Sequence, residues 1–155
     1  EHLALAGAIQ ALAASEVAAL QGKADFASLE DINAALKSYE TQADNLLQGA
    51  ILDYQWHLEL VRLSGNRVAL ATYAKAIPPA VWIAGANYFQ LDEARRSLIE
   101  HDRLVAYMKA GDTLRARDAV SFHVEEAAAQ IRRAGAARIE SYPTDSPDVV
   151  QFRRA

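Results

Sequence analysis

Apolar side chains recur at three- and four-residue intervals along most of this chain, the spacing of one face of an α-helix. From about His2 to Gln21 nearly every residue is a strong helix former, with Leu5, Ile9, Leu12 and Leu20 at helical spacing, until Gly22-Lys23 ends the run. Ser28-Leu29-Glu30-Asp31 then resembles a capping-box start, with aspartate in place of glutamate. It opens a helix that carries Leu29, Ile32, Leu36 and Tyr39. A junction near Thr41–Asp44 has no strong breaker, and a long helix extends from there to about Leu63, closed by Ser64-Gly65. Asn66 can cap the next helix, with apolar positions at Val68, Leu70 and Tyr73, and Pro78-Pro79 breaks it. A short helix through Val81, Trp82 and Ile83 is expected to reach about Tyr88, and Asp92 can start another. No alternating strand pattern stands out, so the expected fold is all-α.

The stretch from Ser97 to Gln130 reads as two helices meeting at Gly111-Asp112. Glycine suits the left-handed position just past a helix end, and aspartate is a good N-cap for the second helix. Leu98, Val105 and Met108 precede the turn; Leu114, Ala119, Val120 and Ala127 come after it. So tight a turn makes the two helices antiparallel neighbours. His101 and His123 then lie level, each roughly 15–17 Å from the turn at ~1.5 Å rise per residue. Two histidines at one height on facing helices suggest a shared ligand, most simply a metal ion.

Composition narrows the picture further. The 155 residues are 52% hydrophobic and sufficient for one domain with its own core. The net charge of −4, from 16 basic and 20 acidic residues, argues against a nucleic-acid surface in this segment. Without cysteine there is no disulfide or thiolate site. No signal peptide is visible, and no apolar run approaches the ~18 residues expected of a bilayer span. The first residues read as already helical, so we expect a segment upstream. After Gly135 the chain turns polar, with Pro143 and Pro147, and residues 136–155 are expected to form a tail.

A third helix completes the candidate chemistry. Asp53 and His57 are four residues apart, on one face and one turn apart, where a carboxylate and an imidazole can chelate one cation. Small Gly49 and Ala50 on that face leave room for a cavity beside the pair. Ala116, Ala119, Val120 and Ala127 flank His123 similarly, as a pocket inside a bundle requires. Ser97, on the face of His101, is a candidate ligand or effector contact. Taken singly, each histidine could be an ordinary core residue, and Asp53 with His57 an ordinary i,i+4 pair. Together they are harder to dismiss, because burying them unpaired is costly. Trp56, Trp82, Phe89 and Phe122 read as packing residues, and Arg95-Arg96, Arg132-Arg133 and Arg153-Arg154 as solvated surface.

In order, Asp53 and His57 within LDYQWHLELVRLSGN, Glu100-His101, Gly111-Asp112 with Ala116, and His123 resemble the FCD (FadR C-terminal) domain. This is the effector-binding half of FadR-subfamily regulators in the GntR family. AGAIQALAAS is similar to the alanine-rich first helix of that domain. The resemblance covers roughly residues 1–133 and places a metal- and effector-binding domain over 1–135. It implies an antiparallel helical bundle of about six or seven helices, with Asp53, His57, His101 and His123 holding a divalent metal. It also implies a small organic acid bound at or beside the metal, which the face shared by Ser97 and His101 would place near Ser97. Further implications are a homodimer, a cytoplasmic location, no membrane partner, and operator DNA bound only through an N-terminal winged helix-turn-helix domain absent from this chain. One departure is the arginine that family members often carry near the start of the first helix. Here none precedes Arg62, which lies about 140° round the helix from His57. Three imidazoles and a carboxylate suit Zn, Ni, Mn or Fe as divalent ions and leave positions open for a carboxylate. A small helical metal-dependent hydrolase is an alternative, but it needs a general base, and Glu100 points about 100° away from His101. A helical interaction domain with a structural metal is the other alternative.

Overall fold

Six α-helices account for nearly all of the described backbone in the computed structural model, which describes residues 2–39, 46–80, 82 and 91–141. They are α1 (His2–Ala19), α2 (Ala27–Tyr39), α3 (Leu46–Leu63), α4 (Arg67–Ala76), α5 (Leu91–Lys109) and α6 (Thr113–Ser141). No strand occurs among the described residues, and the fold is an all-α antiparallel bundle, as expected.

Several local signals act at the positions the sequence indicates. Asn66 adopts an extended backbone, and its side chain accepts the Ala69 N–H at 3.0 Å to cap α4. α4 stops at Ala76, before the two prolines. Gly111 has a φ of 71°, a conformation that glycine adopts at no steric cost, and Asp112 accepts the Arg115 N–H at 3.0 Å to open α6. The start of α2 differs. It begins at Ala27, whose N–H is accepted by the Asp25 carboxylate at 3.0 Å, so Ser28 already lies inside the helix and no Ser28–Asp31 box forms. α6 also runs further than the polar composition indicated, through Gly135 to Ser141. Asp92, the expected start of the next helix, lies one residue inside α5, while the junction at 41–44, the expected helix over 81–88 apart from helical Trp82, and residues 142–155 lie outside the described residues.

Helix α1 is the hub, in contact with α3, α4, α5 and α6. It lies antiparallel to α6: a Cβ at Gly7 would sit 3.4 Å from Val124, and one at Gly111 would sit 3.6 Å from the Ala18 carbonyl. Its inward face is made of Ala6, Gly7, Gln10, Ala11, Ala13, Ala14, Val17 and Ala18, while Leu5, Leu12 and Leu20 are largely exposed. The leucine spacing therefore marks the outer side. A helix that is apolar all round has no phase to read, and small side chains are what allow it close neighbours on several sides. By length and composition α1 is apolar enough to cross a membrane, contrary to the sequence expectation. Here its buried residues pack in the centre of the bundle.

Two apolar clusters meet along α1 and α3. One joins Ala14, Val17, Leu29, Trp56, Leu60, Leu104, Met108 and Val120; the other joins Ala6, Ala13, Tyr54, Val61, Tyr73 and Ile77. Not every apolar position is used: Val68, Leu114 and Phe122 are exposed, so Phe122 is not the packing residue its type suggested. Among the described residues six polar side chains are buried, including Gln10, His57, His101 and His123.

Candidate metal centre

Helices α3, α5 and α6 each carry one histidine to the same point. His57, His101 and His123 are 1%, 0% and 6% exposed. The His123 Nε2 atom lies 3.3 Å from His101 Nε2 and 3.4 Å from His57 Nε2. Nitrogens bound to one zinc ion at ~2.0–2.1 Å in tetrahedral directions would stand about 3.4 Å apart. The triad is thus geometrically compatible with a metal ion. The antiparallel register about Gly111-Asp112 does bring His101 and His123 level, as the spacing indicated.

Asp53, one turn before His57 on α3, borders the cluster. Its Oδ1 is 3.7 Å from His101 Nε2 and 3.9 Å from His57 Nε2. Its Oδ2 accepts a hydrogen bond from Trp82 Nε1 at 2.7 Å. Ser97 lies one turn before His101 on α5 and is partly buried. Arg62 is 56% exposed and paired with Glu59 through a guanidinium–carboxylate contact of 2.5 Å, away from the cluster. The outward view of Arg96, Arg132 and Arg133 also holds, since all three are exposed.

The outer nitrogens of two histidines are occupied. His57 Nδ1 lies 2.5 Å from Gln10 Oε1 on α1. His123 Nδ1 lies 2.7 Å from Glu100 Oε2 on α5. The Glu100 carboxylate only accepts, so it places the His123 ring proton on Nδ1 and leaves that Nε2 lone pair directed at the cluster. His101 is held differently: its ring stacks on Trp56 with centroids 3.9 Å apart and planes 2° from parallel. Its buried Nδ1 has no hydrogen-bond partner among the described residues.

Electrostatics favour neutral imidazoles at His57 and His101. Burial, reinforced by His123, holds His57 well below its ordinary pKa, and burial with His123 and His57 does the same to His101. Burial raises the Asp53 carboxyl, against the opposing effects of His123 and the Trp82 hydrogen bond, although 28% of the side chain remains accessible. His123 Nε2 lies within hydrogen-bond distance of both neighbours, so in the metal-free chain a ring proton can bridge a pair, and a cation at their focus would take its place. The donor set therefore fits a divalent metal.

Sequence reasoning missed three partners of this cluster. Gln10 is the sole polar side chain between His2 and Ser15, a signal that could have marked it. Glu100 adjoins His101 in sequence, which suggests a catalytic base; instead it faces His123 across the helix pair. Trp82, a packing residue by its type, supplies a hydrogen bond to Asp53.

An all-helical bundle whose buried histidines converge from three helices on one point has the form of a domain with a metal site at its centre. The chain belongs to the FCD domain family, which it matches over residues 1–140. FCD domains are effector-binding modules typical of GntR-family regulators. The chain matches no curated protein and no solved structure.

Proposed function

We propose that this domain senses a small organic acid through a divalent metal held by Asp53, His57, His101 and His123. The observation that carries this reading is the convergence of three buried Nε2 atoms within 3.3–3.4 Å contacts. When bound, the metal offers a Lewis-acidic point with open positions that a carboxylate can occupy. Asp53 would neutralise part of its charge, and Gln10 and Glu100, in contact with the outer nitrogens of His57 and His123, would orient those ligands. Zn, Ni, Mn and Fe are all compatible with this donor set. Gly49 supports space for a ligand beside Asp53, since a Cβ there would meet no atom of the described residues within 4 Å. Ser97, on the helix of His101, is the proposed effector contact.

The reading extends to the whole regulator. The domain spans about 1–135, and α6 carries it on to Ser141 ahead of the tail, in a cytoplasmic, homodimeric protein of the FadR subfamily. An N-terminal winged helix-turn-helix domain, outside this chain, binds operator DNA in response to the effector. A hydrolytic role is less well supported. Glu100 Oε2 accepts from His123 Nδ1 at 2.7 Å, on the side of the ring away from Nε2, which sets this carboxylate behind the ligand rather than beside a metal-bound water.

The test is melting temperature across a matrix of EDTA, each candidate metal and carboxylates such as citrate, malate and lactate, for the wild type and His123→Ala. Metal should stabilise the wild type by RT ln(1 + [M]/Kd), ~2.7 kcal/mol at a hundredfold excess over Kd, and His123→Ala should lose most of this. An effective acid should add stability only when metal is present. Equal stabilisation of both proteins by metal would refute the shared site. Metal stabilisation without any response to acids would favour a structural ion, and metal-dependent turnover would favour the hydrolase.

A further inference from the structure

Gln10 is fully buried on α1, a helix that carries none of the four candidate ligands. Its side-chain Oε1 meets His57 Nδ1 at 2.5 Å, and its Nε2 donates to the Tyr73 hydroxyl on α4 at 3.3 Å. A buried amide is costly unless both ends are paired, and here they are. Tyr73 is itself fully buried and stacks on Tyr54 with ring centroids 6.5 Å apart. The amide is therefore clamped between a rigid aromatic pair and an imidazole.

That clamp selects between two forms of His57. With the proton on Nδ1, the Nε2 lone pair is free for a cation. With the proton on Nε2, the ring points a hydrogen toward His123 Nε2, 3.4 Å away, and cannot ligate. A carbonyl oxygen only accepts, so Gln10 Oε1 favours the first form. A reversed amide would present its NH2 to Nδ1 and impose the second, which gives the assignment a direct alternative. The structure pairs the Gln10 NH2 group with the Tyr73 hydroxyl and the carbonyl with His57; because a hydroxyl can also donate, the His57 tautomer is the observable that separates the two orientations.

We propose that Gln10 is a positioning residue for the metal centre: its carbonyl holds His57 in the Nδ1–H tautomer and so keeps Nε2 available to a cation. The inference rests on the metal reading for its affinity arm, but the tautomer itself is a property of the metal-free chain. The residue also makes α1, rather than only α3, α5 and α6, a participant in the site.

The experiment uses the 155-residue chain labelled with ¹⁵N. Long-range ¹H–¹⁵N correlation spectra in EDTA distinguish protonated from lone-pair ring nitrogens, and zinc affinity is read by competition with a chromophoric chelator. His57 should be protonated at Nδ1 in the wild type and in Gln10→Glu, whose carboxylate still accepts from Nδ1 while the Tyr73 hydroxyl donates to it. Gln10→Leu should populate the Nε2–H form, which can donate to His123. It should lose about 10–100-fold in zinc affinity, the usual effect of removing a partner behind a ligating histidine. A wild-type His57 protonated at Nε2 would overturn the proposal even if Gln10→Leu failed to fold. So would a folded Gln10→Leu with wild-type tautomer and affinity. Failure of the metal reading has a different signature, equal zinc affinity in the wild type and His123→Ala.

Discussion

Removing the carboxylate of Glu100 should weaken metal binding without dismantling the bundle. Glu100 Oε2 accepts from His123 Nδ1 at 2.7 Å, and the two side chains are 21% and 6% exposed. The contact is short and charge-assisted, and it fixes both the tautomer and the direction of the ring. Loss of such a partner costs about 10–100-fold in metal affinity, or roughly 1.4–2.7 kcal/mol. For a domain of this size 1 kcal/mol moves Tm by about 2–4 °C, so Glu100→Ala should give up roughly 3–11 °C of the metal-induced gain in Tm. Glu100→Gln keeps an acceptor without the charge and should fall between the wild type and Glu100→Ala. The Arg96 contact to Glu100, at 3.8 Å and half exposed, contributes little to either number. Chelator competition gives the affinities, and scanning calorimetry with and without EDTA gives the Tm gains. Wild-type zinc affinity in Glu100→Ala, with the bundle intact, would refute the role assigned to this carboxylate.

Three further outcomes are expected. In EDTA the chain should lose stability as pH falls below about 6.5: the unfolded histidines take up protons there, while His57 and His101, with depressed pKa values, do not. Asp53, with its raised pKa, acts in the opposite sense and offsets part of the loss at lower pH. Urea midpoints that stay level or rise from pH 8 to 5 would contradict this. Gly49→Ala should raise metal-free stability by about 0.5–1 kcal/mol, because glycine inside a helix is disfavoured and the added methyl meets open space. A fall in the denaturation midpoint would show that the space is not free. Asn66→Ala should cost about 1 kcal/mol through loss of the α4 cap, with an additional loss from its hydrogen bond to Glu16 at 3.1 Å, and unfolding in urea would measure it.

The sequence by itself determined the helical class, the α4 cap at Asn66, the tight turn at Gly111-Asp112 and the inward phase of His57, His101 and His123. These depend on local rules: a side-chain oxygen meets its own backbone, glycine tolerates a positive φ, and residues four apart share a face. The level pairing of His101 with His123 was also legible, because a short turn converts sequence distance into height. Only the tertiary structure decided who stands behind the ligands. Periodicity gives each helix its own phase but not the identity of the residue opposite, so Gln10 and Glu100 could not be matched to His57 and His123, nor Trp82 to Asp53. The same limit hid the inner face of α1, where leucines at helical spacing face outward and alanines face the core. On a helix apolar all round, the buried side is set by which neighbours can approach closely, and that depends on the assembled bundle.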